Sequence, residues 1–174
     1  WVQTIKNSFM QITPHYTMKR QLDDYVDRFY NKLQKSYDEV SANGYAKAKE
    51  IAAWKEKIAA GWDNITIEQA NIPEKLLTNP EVGDKKQFDV ILNVNGLGDN
   101  GIGVDIVISN KNEKGHDKIY KVVEMEMYKQ EGTRLFYKAN IVIEEADTYK
   151  YAFRMFPKSS LLAHKMDFCY TRWF

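Results

Sequence analysis

The hydrophobic rhythm of this chain changes once, near residue 65, and that change restricts the fold more than any other feature. Before it, apolar residues recur every three or four positions. Leu22, Tyr25, Val26, Phe29, Tyr30, Leu33 and Tyr37 form one stripe, with Arg20, Asp23, Asp24, Asp27, Arg28 and Lys32 on the remaining faces. That is the period of an amphipathic helix. Thr13 before Pro14, or Thr17 just after, can start it. Asn43-Gly44 interrupts the rhythm. Tyr45, Ala48, Ile51, Ala52, Ile58, Ala59 and Trp62 then mark the face of a second helix. Glu50 and Glu56 among Lys47, Lys49, Lys55 and Lys57 solvate its other side. A shorter helix around Trp1–Phe9 precedes both.

After Trp62 the period falls to two. Phe88, Val90, Leu92 and Val94 alternate with mostly polar neighbours, and Val104, Ile106 and Ile108 follow as a second run. Ile119, Val123, Met125 and Met127 make a third, and Leu135, Tyr137, Ala139, Ile141 and Ile143 a fourth. Tyr149, Tyr151, Phe153 and Met155 make a fifth, Met166–Trp173 a sixth, and Ile65–Glu68 can add a seventh. Gly, Asn and Asp separate most runs, and no helical stretch intervenes to cross over between parallel strands. Pro73–Gly83 reads as a loose loop. The fold class is therefore α+β: N-terminal helices followed by an antiparallel, immunoglobulin-like β-sandwich. The domain boundary falls between residues 63 and 64, giving a helical segment 1–63 and a sandwich 64–174.

Composition narrows the function. Lysine and arginine total 25 against 24 aspartate and glutamate, a net charge of +1. Near-balance removes the broad electrostatic attraction that nucleic-acid binding needs. No apolar run approaches the roughly 20 residues that span a bilayer, so no membrane partner is expected. A single cysteine, Cys169, cannot close an internal disulfide and favours a reducing, cytoplasmic setting. Asn64-Ile65-Thr66 is then a sequon without a secretory context.

Several motifs resemble chemistry and carry none. Gly96-Leu97-Gly98-Asp99-Asn100-Gly101 is a literal G-x-G-x-x-G after a predicted strand. A dinucleotide site needs that loop to open a helix, whereas Val104–Ile108 alternates like a strand. The glycines are expected to turn the chain between two antiparallel strands. His15, His116 and His164 lie in separate segments without zinc-ligand spacing, and Glu124 and Glu126 read as solvated glutamates. Cys169, between Phe168 and Tyr170 in a predicted strand, reads as buried and inert. No catalytic, cofactor-binding or metal-binding residue is assigned. Asp147-Thr148-Tyr149 carries more information: an acidic residue two before a tyrosine, opening a strand, suits a corner whose tyrosine hydroxyl bonds back to upstream backbone. Tyr120 and Tyr128 fall on the even-numbered, polar face of one predicted strand with Lys118, Glu124 and Glu126. Exposed tyrosines beside polar groups suit sugar stacking or a protein interface. They are the candidate glucan or interface contacts.

Trp1, Ile5, Tyr16, Arg20, Tyr25 and Tyr30 fit the pattern W-x3-I…[FY]-x3-R-x4-Y-x4-[WY], which opens as though cut from something larger. This segment resembles the C-terminal end of the glycogen and α-glucan phosphorylase catalytic region. The remainder is similar to the extra C-terminal β-domain of long bacterial members. It shares a Gly-Leu turn before Val104-Asp105-Ile106-Val107, a late Tyr149, Tyr151, Arg154, Pro157 series, and a close like that of Bacteroides-type members at Asp167–Trp173. The resemblance implies a parent that cleaves terminal α-1,4-glucosidic bonds with phosphate, releasing glucose 1-phosphate, with pyridoxal phosphate on a Schiff-base lysine. That lysine belongs to a Gly-Thr-Gly-Asn-Met-Lys-like motif which this sequence lacks. Two roles compete for the region itself: docking on the parent's catalytic domains or mediating assembly as a homo-oligomer, and binding α-glucan as a module. A free-standing interaction sandwich is the third reading. The stripe along Leu22–Leu33 is expected to be covered by the second helix, the sandwich or another copy. No pyridoxal phosphate is expected in this chain; cofactor absorbance co-purifying at one equivalent overturns that.

Overall fold

A computed structural model describes residues 1–72, 82–83, 85–98, 101–145 and 147–174. The expected loop Pro73–Gly83 lies outside them apart from its last two residues. The chain forms two compact units, Trp1–Glu50 and Ile51–Phe174.

The first unit is helical. It holds α1 (Val2–Gln11), α2 (Met18–Tyr25) and the start of α3 (Asn31–Gly61). Thr17 begins α2, its hydroxyl oxygen accepting the Arg20 N–H at 3.2 Å, so one otherwise orphaned donor is satisfied. A π turn, Val26–Tyr30, joins α2 to α3. The helix breaks where Asn43-Gly44 predicts, and Asn43, Gly44 and Tyr45 take φ of 51°, 64° and 65°, the left-handed region that glycine adopts freely. Lys47 Nζ bridges the break to Glu39 at 3.2 Å. The apolar stripe from Leu22 to Tyr37 stays exposed, between 41% at Tyr25 and 64% at Leu33.

The second unit begins with the last turns of α3 and continues into the sandwich. One sheet runs β1 (Thr66–Asn71), β2 (Lys85–Asn93), β6 (Arg134–Val142), β5 (Glu126–Glu131); the other runs β4 (Asp117–Glu124), β3 (Ile102–Lys111), β7 (Lys150–Pro157), β8 (Arg172–Trp173). Every pairing is antiparallel. Period-two patterning gives each sheet one apolar face. Phe88, Val90, Leu92, Leu135 and Tyr137 from one sheet meet Val104, Ile106, Phe153 and Met155 from the other in a single core. The fold is thus α+β with a β-sandwich.

Four sequence expectations are corrected here. The run Ile119–Met127 is two strands, β4 and β5, in opposite sheets. The chain crosses at Met125, which is buried and donates its N–H to Val104 O at 2.7 Å. Hydrophobic alternation continues through the crossing because Met125 fills the core, so periodicity alone cannot reveal it. The glycine-rich loop does not close a hairpin: β2 and β3 belong to different sheets, and its turn carries the chain from one to the other. A Cβ on Gly101 would lie 2.6 Å from Ile58 Cδ1, so the loop's glycine also admits the end of α3. Finally, Met166–Trp173 is mostly irregular. His164 Nδ1 accepts the Met166 N–H and Asp167 Oδ2 accepts the His164 N–H, both at 3.0 Å. This box closes the backbone on itself as a 3₁₀ turn, Lys165–Asp167, leaving a two-residue strand. Cys169 is accordingly exposed, its thiol donating to Met166 O at 2.7 Å, rather than buried.

Tyr137 is the largest fully enclosed side chain, and its hydroxyl donates to Ile102 O at 2.8 Å across the sandwich. Burial raises its pKa well above the ordinary phenol value of 10.0, and burial likewise raises Tyr151. Both phenols stay neutral in the folded chain at pH values where the unfolded chain ionises them. Their contribution is therefore whole below pH 10 and falls as pH rises above it. Tyr137→Phe is expected to cost about 1 kcal/mol at pH 7 from the lost bond, and to make the decline above pH 10 shallower. Urea titrations at pH 7 and pH 11 measure both effects.

Candidate functional site

A concave feature lies beside the β3–β4 hairpin. A groove of about 820 Å³ is lined by Asn110, Lys118, Ile119, Tyr120 and Glu145, with the hairpin turn from Asn112 to Lys114 along one edge. Its walls are held from behind. Asn112 Oδ1 accepts the N–H groups of Lys114 and His116, each at 3.0 Å, which sets the turn. Asn110 Nδ2 donates to Asp147 Oδ2 at 2.8 Å. Tyr149 stands against Tyr120 with ring centroids 5.2 Å apart, and its hydroxyl donates to Glu145 O at 3.0 Å. That last bond is the tyrosine corner anticipated at Asp147–Tyr149. Burial, then the neighbouring Tyr120, pushes the Tyr149 phenol up to about 12, so it is a neutral donor at any physiological pH. Among the described residues, no ion pair engages Lys118 or Glu145; the groove offers an unpaired cation and carboxylate beside an aromatic ring.

Tyr120 reaches this position through a β-bulge. Ile108 opposes Lys121 while Ser109 opposes Ile119, which leaves Tyr120 as the extra residue of β4. A bulge reverses the facing of everything beyond it. Tyr120 therefore turns inward and packs on the core, half-buried, and Ile119 turns out to 60% exposure. The expectation that Tyr120 points to solvent on a shared strand with Tyr128 is corrected on both counts.

Tyr128 belongs to the other sheet, where it is also a bulged residue, between Met127 opposite Tyr137 and Lys129 opposite Phe136. It is 48% exposed and lies edge-on to Phe136 at 6.3 Å, with Lys138 Nζ 5.1 Å over its ring. A cation over each ring of this aromatic pair, with Lys129 Nζ 5.4 Å from the Phe136 ring, makes it a surface packing cluster. The structure does not bring the two candidate tyrosines together. The polar residues around Tyr120 were missed in the sequence because their signal, Asn-x-Asn-Glu-Lys-Gly, is that of any hairpin turn.

A third cluster covers the outer face of the second sheet. Asp105 is fully buried, paired with Arg154 at 2.5 Å and lying 3.8 Å from Lys165 Nζ. Its Oδ1 has no partner among the described residues. Glu124 joins through Lys158 at 2.5 Å and Lys165 at 3.6 Å. Burial pushes the Glu124 carboxyl up, but Lys158 and Lys165 outweigh it and its pKa ends below the ordinary value. Arg154 in turn lies over the Trp173 ring at 5.4 Å. A cationic neighbour on every carboxylate holds the 158–173 segment against the sheet, which is a structural arrangement.

No cofactor site is evident among the described residues. A Schiff-base lysine needs a buried position that lowers its pKa, whereas Asp105 is the one buried charged residue among those described. No described group of three His, Cys, Asp or Glu could hold a metal ion. The glycine-rich loop leads into β3, so no helix N-terminus follows it. No helix among the described residues is long and apolar enough to cross a membrane.

Comparison with known proteins agrees with the fold. The family described as the glycogen phosphorylase C-terminal domain matches residues 62–174, more than half the chain. This chain therefore belongs to that family. It is 26% identical over 183 aligned positions to a maltodextrin phosphorylase of Thermococcus litoralis, covering 99% of this chain. The chain spans 20% of the length of that relative.

The ion cluster yields a measurable consequence. Arg154→Met leaves a fully buried carboxylate with only the more distant Lys165 to compensate. The loss is expected to be about 3 kcal/mol of folding stability, read from urea titration at pH 7.

Proposed function

We propose that this chain is the C-terminal accessory region of an α-1,4-glucan phosphorylase and docks on the catalytic domains of that enzyme rather than performing chemistry. The enzyme would use pyridoxal phosphate and inorganic phosphate to release glucose 1-phosphate from maltodextrin or glycogen. This reading makes residues 1–63 the helical end of the catalytic region and 64–174 the accessory sandwich, in the cytoplasm.

The observation that carries the docking role is the exposed stripe of the helical unit. Leu22, Phe29, Tyr30, Leu33 and Tyr37 are each more than half exposed. Scattered apolar residues are ordinary on a surface, but a contiguous row of them is the mark of an interface. The charged residues are organised around the stripe without crossing it: Arg20 pairs with Asp24 at 2.5 Å and Lys19 with Asp23 at 2.6 Å. Belonging to a family of C-terminal domains, the chain has the catalytic domains as the natural occupant. A second copy of the chain is the competing occupant.

Three proteins separate these: the longer enzyme, the same enzyme lacking these 174 residues, and the 174-residue chain. The last is expected to release no glucose 1-phosphate from maltoheptaose and phosphate. Mixed with the shortened enzyme it should co-elute one to one, and Leu33→Asp, at an exposed position, should abolish the co-elution. Phosphorolysis by the 174-residue chain alone overturns the reading. Self-association without capture of the catalytic domains overturns it equally.

A further inference from the structure

We propose that the groove beside the β3–β4 hairpin is an α-glucan-binding subsite, with Tyr120 as its stacking platform. The inference rests on the proposed glucan substrate but not on docking.

A maltodextrin chain presents two kinds of surface, C–H faces of its rings and a fringe of hydroxyls that both donate and accept. A site for it therefore needs an apolar wall with donors and acceptors together. The groove has both. The Tyr120 ring and the exposed Ile119 side chain supply the apolar wall, and Asn110, Lys118 and Glu145 supply an amide, a cation and a carboxylate within one concavity. A volume of about 820 Å³ is of the size that small-molecule sites occupy. Lys111, Lys114 and Lys118 against Glu113 and Glu145 leave the lining mixed in charge and only slightly positive, which suits a neutral polyol with its many donors and acceptors.

Preorganisation separates this groove from an accidental surface dent. Tyr120 is fixed by the bulge in β4 and by Tyr149 behind it, Asn110 by Asp147, and the backbone at Glu145 by the Tyr149 hydroxyl. Side chains already held in place lose less freedom when a ligand arrives. The tyrosine corner thus has a second consequence beyond closing the sandwich, because one residue sets both the ring and the carboxylate-bearing wall. Tyr128, the second candidate tyrosine, lines none of the cavities described above. Its ring is occupied by Phe136 and Lys138.

The test is calorimetric titration of the 174-residue chain with maltoheptaose and, separately, with cellohexaose, whose β-linkage presents the same groups along a different curve. Maltoheptaose is expected to bind with a Kd of about 1 mM or tighter, and cellohexaose at least tenfold more weakly. Tyr120→Ala should weaken maltoheptaose about tenfold. Because Tyr120 is half-buried, Ile119→Glu serves as the second variant: it sits on the exposed side of the bulge and should weaken binding without lowering the melting temperature. Tyr128→Ala should leave affinity unchanged. No binding of maltoheptaose by the intact chain overturns the subsite, as does full affinity in Ile119→Glu or equal affinity for the two sugars. Phosphorolysis by the longer enzyme is read separately, so loss of the subsite with that activity present leaves the docking role intact.

Discussion

The guanidinium of Arg172 ties the two ends of the second unit together. It donates to Ile65 O at 2.8 Å and to Trp62 O at 3.1 Å, reaches Asp63 at 3.4 Å, and lies 6.0 Å over the Trp62 ring. Carbonyls at a helix end have no intrahelical donor, and a charged donor satisfies them more strongly than a neutral one. One residue of β8 thereby satisfies carbonyls of the short 3₁₀ turn that follows α3 and ties the entry into β1 to β8. Phe174 and Phe153 exchange both backbone bonds at 2.9 and 3.0 Å, and their rings stack at 5.6 Å. Short as it is, β8 is therefore not a frayed end.

What Arg172 secures is a wedge. Ile58 of α3, with Trp62 and Ile65 just beyond the helix end, enters the core, with Trp54 against Phe168 at 5.6 Å and Trp62 against Tyr170 at 5.4 Å. Lys55 Nζ adds a bond to Asp167 O at 3.0 Å. A sandwich leaves its ends open where the strands turn, and aromatic side chains of this size are well suited to closing one. The irregular 158–171 segment therefore does what a longer edge strand would not: it reaches both the outer face, over Asp105, and the α3 end.

The sequence carried the number of layers and most strands because each strand has one buried face, and a period of two survives in such strands. Phe88 to Val94 and Leu135 to Ile143 alternate without a break, as buried centres of a sheet should. The failures share a cause. At Tyr120 one extra residue reverses facing, at Met125 a core residue occupies the crossing between sheets, and after His164 a capping box replaces the ladder. None of these alters the composition of the run, so each is invisible to periodicity. Of the face expected for the second helix, Tyr45, Ala48, Ile51, Ala52, Ile58, Ala59 and Trp62, the structure buries Ile58 and Trp62, while Ala52 and Ala59 are exposed and Trp54 packs against the core. Trp54, Ile58 and Trp62 follow the four-residue spacing; small alanines fit any face and mislead the eye.

The same local events that hide the groove from the sequence also build it. Without the bulge, Tyr120 would continue the outward row and lie flat on an open strand, and Ile119 would enter the core. With it, an aromatic ring turns toward Tyr149, an aliphatic one turns out, and the hairpin beyond is displaced enough to leave a concavity flanked by Asn110 and Glu145. Bulges disrupt the ladder and persist where they re-aim a side chain. In β5 the bulge at Tyr128 yields only a ring clasped between Phe136 and Lys138. Two bulged tyrosines of similar sequence context thus differ in what surrounds them, and that surrounding, rather than residue type, separates a place for a ligand from a patch of surface packing.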